Sequence, residues 1–200
     1  MRSRLTACLI GLALLGPLRA EEAPRRSAAE LMDVLMWNRE PVGGPFALID
    51  QDGRPRTDAD FRGKLVLLTF GYTGCPDVCP TDLMAIAQAL NLLGEAGAAI
   101  QPVFVTLDPA RDTPAVLAEF VPSFHPRLVG LTGSEAAIGR AADAFKVFYR
   151  RGEDAIEHSV FVYLLDAQGR YLGFFPPGTS AERMLTIIRP HLGAPQSQKR

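Results

Sequence analysis

The stretch "KLVLLTFGYTGCPDVCPTDLMAIAQALNLLG", residues 64–94, joins an apolar run, a loop with two cysteines and a helical pattern. The run "KLVLLTF" is rich in strand-forming residues and predicts a strand that is buried on both faces. Pro80 and Asp82 favour a helix start, and apolar residues then recur with the helical period. Cys75 and Cys79 therefore lie on a loop between a central strand and the N-terminus of a helix.

The rest of the chain continues an alternation of strands and helices. Strands are predicted at "FALID", "IQPVFVTLD" and "RLVGLT", and "SVFVYLLD" and "RYLGFF" are predicted to form a hairpin. Helices are predicted to begin after capping residues, which are Ser27, Thr113, Ser134 and Ser180. This order predicts an α/β fold with a mixed central sheet and helices on both faces. The position of the cysteine pair makes the layout thioredoxin-like.

The N-terminal residues are predicted to lie outside this domain. A basic start is followed by about a dozen apolar residues, fewer than the roughly 20 that span a bilayer. This is the layout of a secretory signal peptide cut after Ala20, with an uncleaved membrane anchor as the alternative. We predict a signal peptide or anchor over residues 1–20, a helix and linker over 21–42, a domain over 43–192 and a polar tail over 193–200.

Charge and cysteine content exclude some classes of protein. The net charge of −1 on 200 residues provides no electrostatic basis for binding nucleic acid. Cys8 lies in the apolar N-terminal run, so a cleaved chain keeps only Cys75 and Cys79. One close pair is not the framework of a disulfide-stapled scaffold, and so short a crosslink contributes little by chain entropy. A purely structural disulfide therefore explains the pair poorly.

Disulfide exchange and metal binding both need these cysteines as thiolates, and the positive end of a helix favours that form. Oxidoreductases of this layout have two residues between the cysteines, whereas three separate Cys75 from Cys79. Residues four apart on a helix share a face and are about 6 Å apart along its axis. Two such thiolates can close a disulfide or bind one soft metal ion.

Two thiolates are an incomplete site for most metal ions, so a third ligand is expected. Of the three histidines, His125 and His191 are interpreted as surface or packing residues from their positions in a loop and near the chain end. His158 precedes a buried strand, in a segment that passes near the cysteine loop in a thioredoxin-like fold. We therefore predict His158 as a metal ligand together with Cys75 and Cys79.

Charged residues flank this predicted site. Asp77 lies between the cysteines, where its charge stabilises a helix N-terminus by about 0.3–1 kcal/mol or meets a binding partner, and neither role is preferred. Asp108, Arg111 and Asp112 follow a central strand, at the edge where open α/β sheets bind ligands. A capping and ion-pair role for these three is favoured over partner contact.

Three segments resemble the Sco (SenC) family of copper proteins, which act in the assembly of cytochrome c oxidase. They are "GGPFALIDQDGRPRTDADFRGKLVLLTFGYTGCPDVCPTDL", "VTLDPARDTP" and "HSVFVYLLDAQGRYLG", and the resemblance extends from Gly43 to His191. The pattern GYTxCPDVCP is highly specific. Two residues depart from the family pattern: Gly74 replaces a commonly bulkier residue, and Glu157 stands where aspartate usually precedes the histidine.

The resemblance implies a thioredoxin-like domain that binds copper through Cys75, Cys79 and His158. Thiolates select copper(I) and zinc and imidazole suits both, whereas structural zinc usually has four ligands. Three ligands suit copper in either oxidation state. The implied function is a metallochaperone of the periplasm or cell envelope that delivers copper to the dinuclear site of an oxidase subunit. The expected partners are that subunit and other periplasmic copper chaperones, with membrane association through the N-terminus.

Two enzymatic alternatives use the same thiols. A thiol–disulfide oxidoreductase would reduce the cysteines of the same target before metal loading, but dithiol exchange has no obvious need for His158. A thiol peroxidase is disfavoured, because its Pro-x-x-x-Thr/Ser-x-x-Cys pattern requires other residues where Leu68 and Tyr72 stand.

Overall fold

The computed structural model describes residues 26–37, 40–75, 78–153 and 155–192, and only the backbone of Trp37 and of residues 78–80. The predicted signal or anchor and the polar tail lie outside these ranges. Within them, no helix is both long and apolar enough to cross a membrane. The elements in chain order are α1 (Ala28–Trp37), β1 (Ala47–Asp50), β2 (Pro55–Thr57), β3 (Leu65–Gly71), α2 (Val78–Leu93), β4 (Ile100–Thr106), α3 (Pro114–Phe120), β5 (Val129–Thr132), α4 (Glu135–Ala144), β6 (Tyr149–Arg151), β7 (Ile156–His158), β8 (Val162–Leu165), β9 (Tyr171–Phe175) and α5 (Ala181–Ile188).

Seven of these strands form one mixed sheet in the order β2-β1-β5-β4-β3-β8-β9. Strands β3, β4 and β5 are parallel, while β8 and β9 are antiparallel at one side and β1 and β2 at the other. Strand β3 is buried along its whole length, because it has neighbours on both sides and helices on both faces.

Alternating side chains of β3 contribute to two separate core layers, as the two-residue period of a strand requires. Val66, Leu68 and Phe70 pack in the layer covered by α1 and α4. Leu65 and Leu67 pack in the opposite layer, covered by α2, α3 and α5. The predicted mixed sheet with helices on both faces is therefore confirmed.

Helix α1, from the predicted linker region, contributes to the first of these layers. Val34 and Leu35 are buried there together with Ile138 of α4. Met36, on the other side of the helix, is 60% exposed. Helix α1 therefore has a buried apolar face and an exposed face, and the buried face is part of the domain core.

The four predicted capping residues lie where the helices begin. Each side chain accepts a hydrogen bond from the backbone N–H three residues later, which satisfies a group that the helix itself leaves unpaired. The four pairs, with distances, are Ser27 with Glu30 (3.3 Å), Thr113 with Val116 (3.4 Å), Ser134 with Ala137 (3.2 Å) and Ser180 with Arg183 (3.3 Å).

Three short strands were not predicted: the edge strand β2 and the pair β6 and β7. Strands β6 and β7 form a two-stranded antiparallel sheet of their own, with Tyr149 opposite His158 and Arg151 opposite Ile156. Its strands have three residues each and carry charged side chains, so no apolar run indicates them. His158 is consequently the last residue of a strand in this hairpin.

Candidate metal centre

The predicted site lies where two parallel strands end side by side. Strands β3 and β4 are paired up to Gly71 and Thr106, and the ladder continues with a 2.6 Å hydrogen bond from Leu107 N to the Gly71 carbonyl. Residues 72–75 leave β3 and residues 107–112 leave β4 at this same edge. Two loops from distant parts of the sequence thus meet beside the cysteines.

Asp112 joins these two loops. Its carboxylate accepts hydrogen bonds from Thr73 N at 2.9 Å, from the Thr73 hydroxyl at 2.5 Å and from the Thr106 hydroxyl at 2.5 Å. Asp112 is only 1% exposed. The capping role expected here belongs to Thr113, while Asp112 holds the loop that leads to Cys75. No local sequence pattern reveals this contact, because it links residues 39 positions apart.

Tyr72 connects the cysteine loop to the histidine. Cys75 N donates to the Tyr72 carbonyl at 3.1 Å, which closes a turn between these residues. The Tyr72 ring meets the His158 ring edge-on, with centroids 5.9 Å apart, and its hydroxyl accepts from Ile156 N at 3.4 Å. The segment that carries His158 therefore passes beside the cysteine loop, as predicted.

The His158 ring is held in a form that suits metal binding. Its Nδ1 lies 2.9 Å from the Ser159 carbonyl. A carbonyl only accepts, so in the neutral ring Nδ1 carries the proton and Nε2 carries the lone pair. Burial lowers the pKa of His158 below its usual value, against a smaller opposing effect of the Ser159 carbonyl. Burial therefore favours the neutral imidazole over its charged form.

Cys75 lies on the predicted loop, whereas Cys79 lies in the helix itself, because α2 begins at Val78 rather than near Pro80. Cys75 is half-buried at the end of the turn after β3, and Cys79 lies in the first turn of α2. The side chain of Cys79 and the whole of Asp77 are outside the described residues. Among the described side chains, no group of three or more histidine, cysteine or acidic residues is placed to hold a metal ion. The ligand set of Cys75, Cys79 and His158 stays a prediction.

Asp82 links the cysteine-bearing helix to α5. Its carboxylate accepts a hydrogen bond from Gly178 N at 3.0 Å, just before α5, and the residue is 1% exposed. Its second oxygen has no hydrogen-bond partner among the described residues. Burial raises the pKa of Asp82, and the hydrogen bond from the Gly178 N–H opposes this effect only in part. Asp82 therefore connects α2 to the segment before α5, and it does not act as a charged residue at the start of the helix.

Asp108 forms the ion pairs expected of the loop after β4. It is 4% exposed, and its carboxylate lies 2.9 Å from Arg151 Nη1 and 3.7 Å from Arg111 Nη1. Arg151 also pairs with Glu135 at 2.8 Å. The ion-pair role of Asp108 and Arg111 is confirmed, and Arg151 is an additional residue that the sequence did not indicate.

The two departures from the family pattern each directly precede a predicted ligand, Cys75 or His158. Glu157 is 61% exposed and pairs with Arg150 at 2.6 Å across the hairpin. A Cβ atom added to Gly74 would lie 3.7 Å from the Tyr72 ring, an ordinary contact. Neither of these contacts involves the Ser159 carbonyl that faces the His158 ring.

The other two histidines occupy the positions that the sequence predicts. His125 Nδ1 accepts from Arg127 N at 3.1 Å, so His125 stabilises the loop before β5. His191 is exposed in a 3-10 turn after α5. Neither histidine has a structural feature that points to a metal.

Comparison with known proteins identifies the family. A model of the SCO1/SenC family matches residues 36–193. The chain belongs to this family. A SCO2-like protein of Rickettsia felis is 39% identical over 188 residues, covering 90% of this chain and 91% of that protein.

Solved Sco structures share the fold. ScoI of Bradyrhizobium japonicum with copper bound is 36% identical, with a TM-score of 0.70, and covers 76% of this chain and 99% of its own. Yeast Sco1 with copper bound is 34% identical, with a TM-score of 0.72, and covers 80% and 92% respectively. Because Sco structures are thioredoxin-like, the predicted fold class is confirmed.

Proposed function

We propose that this Sco protein binds one copper ion through Cys75, Cys79 and His158 and delivers it to the dinuclear copper site of a cytochrome c oxidase subunit. The observation that carries the proposal is the contact of the neutral His158 ring with Tyr72, in the turn that leads to Cys75. Two similar proteins, ScoI and Sco1, have been solved with copper bound. The Sco family is one of cytochrome c oxidase assembly proteins.

The three donors have complementary roles. Cys79 lies in the first turn of α2, where the helix dipole favours a thiolate, and Cys75 supplies the second sulfur. His158 would bind through Nε2, because its Nδ1 faces the Ser159 carbonyl. Soft sulfur ligands favour copper(I), and imidazole also suits copper(II). Three ligands leave room for a donor atom of the acceptor protein, so copper can pass between the proteins by stepwise ligand exchange.

The proposed location is the periplasm or cell envelope, after export directed by residues 1–20. There the chain would exchange copper with the oxidase subunit and with other periplasmic copper chaperones. The intact mass of the naturally exported chain tests the cleavage after Ala20. Recovery of the uncut chain with membranes would contradict cleavage and support an anchor.

The second candidate is a thiol–disulfide oxidoreductase that reduces the cysteines of the same target. One observation favours it. Cys75, which follows the C-terminal end of β3, is half-buried, so a disulfide of a partner protein can reach its sulfur. Both functions use the same thiols, so replacing the cysteines does not distinguish the two functions. Replacing His158 does distinguish them.

Replacing His158 with alanine is expected to weaken copper retention at least tenfold while disulfide exchange by the thiols continues. The loss of one ligand costs a few kcal/mol, and about 1.4 kcal/mol corresponds to each factor of ten in affinity. Copper affinity and reduction of a disulfide substrate are measured on the purified chain, and oxidase assembly is measured in cells. His191→Ala, at an exposed position, is the matched control.

The cellular result separates the two functions. Failed assembly with His158→Ala, together with normal disulfide reduction by the purified variant, makes copper handling the essential activity. Normal assembly despite a measured loss of copper would contradict the chaperone function, and the reductase would then explain the cysteine pair.

A further inference from the structure

The hairpin of β6 and β7 carries His158 but is not part of the main sheet. Among the described residues, its two strands pair with each other and with no strand of the seven-stranded sheet, so the ladder of that sheet does not fix their position. The hydrogen bond from Ile156 N to the Tyr72 hydroxyl connects the hairpin with the cysteine loop, but it is long, at 3.4 Å. The chain joins His158 to β8, which begins at Val162, and side-chain contacts contribute to how the hairpin lies beside that loop.

Arg151 makes the strongest of the described polar attachments. Its Nη1 donates to the Asp108 carboxylate at 2.9 Å, and its Nη2 donates to the Leu107 carbonyl at 2.8 Å and to Glu135 at 2.8 Å. Leu107 and Asp108 directly follow β4, and Glu135 opens α4. One guanidinium thus joins the hairpin to two elements of the main domain, a geometry that the planar, five-donor Arg side chain allows.

The pairing of the strands places Arg151 and His158 on the same face of the hairpin. Tyr149 lies opposite His158, and Arg151 is two residues further along the same strand. Since side chains alternate between the two faces, these three share one face. Arg150 is on the other face, where it is 73% exposed and pairs with Glu157. Neighbouring arginines therefore have different surroundings, and only Arg151 contacts the end of β4.

We propose that Arg151 is a positioning residue for copper binding, which holds the β6–β7 hairpin against the end of β4 and so places His158 beside the cysteine loop. The proposal rests on the proposed function of Cys75, Cys79 and His158 as ligands. Arg151 acts through the hairpin and contacts the buried Asp108 carboxylate rather than the copper. Its removal leaves that carboxylate without its closest cation and takes away the contacts of the hairpin with Leu107 and Glu135, while the packing of Tyr149 against the core remains.

The first test needs no copper. The full chain has three histidines, so nitrogen-15 labelling of histidine yields three sets of ring signals in an NMR spectrum. Arg151→Gln is expected to shift the His158 ring signals and increase the ring's motion on the nanosecond timescale, while His125 and His191 stay unchanged. Arg150→Gln, at the adjacent exposed position, is the matched control and is expected to leave all three sets unchanged. Unaltered His158 signals in Arg151→Gln would overturn the proposal.

The second test measures copper. Arg151→Gln is expected to keep two sulfur ligands, to lose nitrogen ligation in X-ray absorption spectra, and to raise the copper dissociation constant roughly 10- to 100-fold, the usual effect of losing a group that orients a ligand. Arg151→Lys is expected to restore part of the affinity, because an ammonium can reach Asp108 but cannot bridge all three acceptors. Copper bound with unchanged nitrogen ligation in Arg151→Gln would overturn the proposal.

The two tests separate this proposal from the proposed function. If the natural chain binds no copper, the proposed function fails, and the NMR experiment still decides whether Arg151 positions His158. If Arg151→Gln does not fold, Glu135→Ala carries both tests, because it removes one acceptor from the exposed end of the contact. It is expected to change the His158 signals in the same direction but by less, and no change would overturn the proposal.

Discussion

A preformed disulfide between Cys75 and Cys79 is expected to abolish copper binding, whereas the reduced chain binds one copper ion. Oxidation converts both thiolates into neutral sulfurs that no longer act as strong ligands, and His158 is then the one remaining predicted donor. Loss of two ligands lowers the affinity by more than about a thousandfold if each contributes a few kcal/mol. Competition titrations with a copper(I) chelator, on reduced and on oxidised full-length chain, measure this difference.

The control for this experiment combines Cys79→Ser with Cys8→Ser, so that Cys75 is the single remaining cysteine. This variant keeps one predicted sulfur ligand and cannot form the disulfide, so its weakened binding should not change when the same oxidant is added and removed. Undiminished copper binding by the oxidised natural chain would contradict the proposed ligand set, because its two sulfur donors would not then be the source of affinity.

Asp112→Ala is expected to lower the free energy of unfolding by about 3 kcal/mol or more, because each buried donor left without an acceptor costs about 1–3 kcal/mol. The donors are Thr73 N and the hydroxyls of Thr73 and Thr106. The same change releases the loop before Cys75 from the end of β4, so copper retention should fall as well. Urea unfolding and copper titration of the same preparations measure the two effects.

Thr113→Ala provides the matched control for Asp112→Ala. It removes the side-chain cap of α3 at the adjacent position without touching the cysteine loop, and its expected cost is about 1 kcal/mol. Copper retention by the folded Thr113→Ala chain should be unchanged. If both variants lose the same stability and the same copper, Asp112 does not act through the cysteine loop.

Local sequence patterns were sufficient for much of the fold. The buried strand β3 followed from a continuous apolar run, and the starts of α3, α4 and α5 followed from Thr113, Ser134 and Ser180. These elements are decided by interactions within a few residues. The short strands β6 and β7 were missed, because three residues with charged side chains have no apolar pattern of their own.

In the candidate site too, some residues could be predicted from local sequence and others could not. The cysteine spacing and the residues that surround His158 made the ligand prediction possible, because each motif is continuous in the sequence. The supporting contacts are not continuous: Asp112 reaches Thr73 across 39 positions, and Arg151 reaches Asp108 across 43. Sequence indicates that these residues are charged, but not which buried group each one meets.

By itself, the sequence determined the order of the main elements, the helix starts and the residues able to act as soft ligands, since these depend on residue type, period and short spacing. Only the tertiary structure decided that Tyr72 meets His158, that Asp112 holds the cysteine loop and that Arg151 attaches the histidine hairpin. Those contacts arise where β3 and β4 end at the same edge of the sheet. A buried carboxylate there takes whichever donors the folded chain brings within reach, and local sequence does not specify those donors.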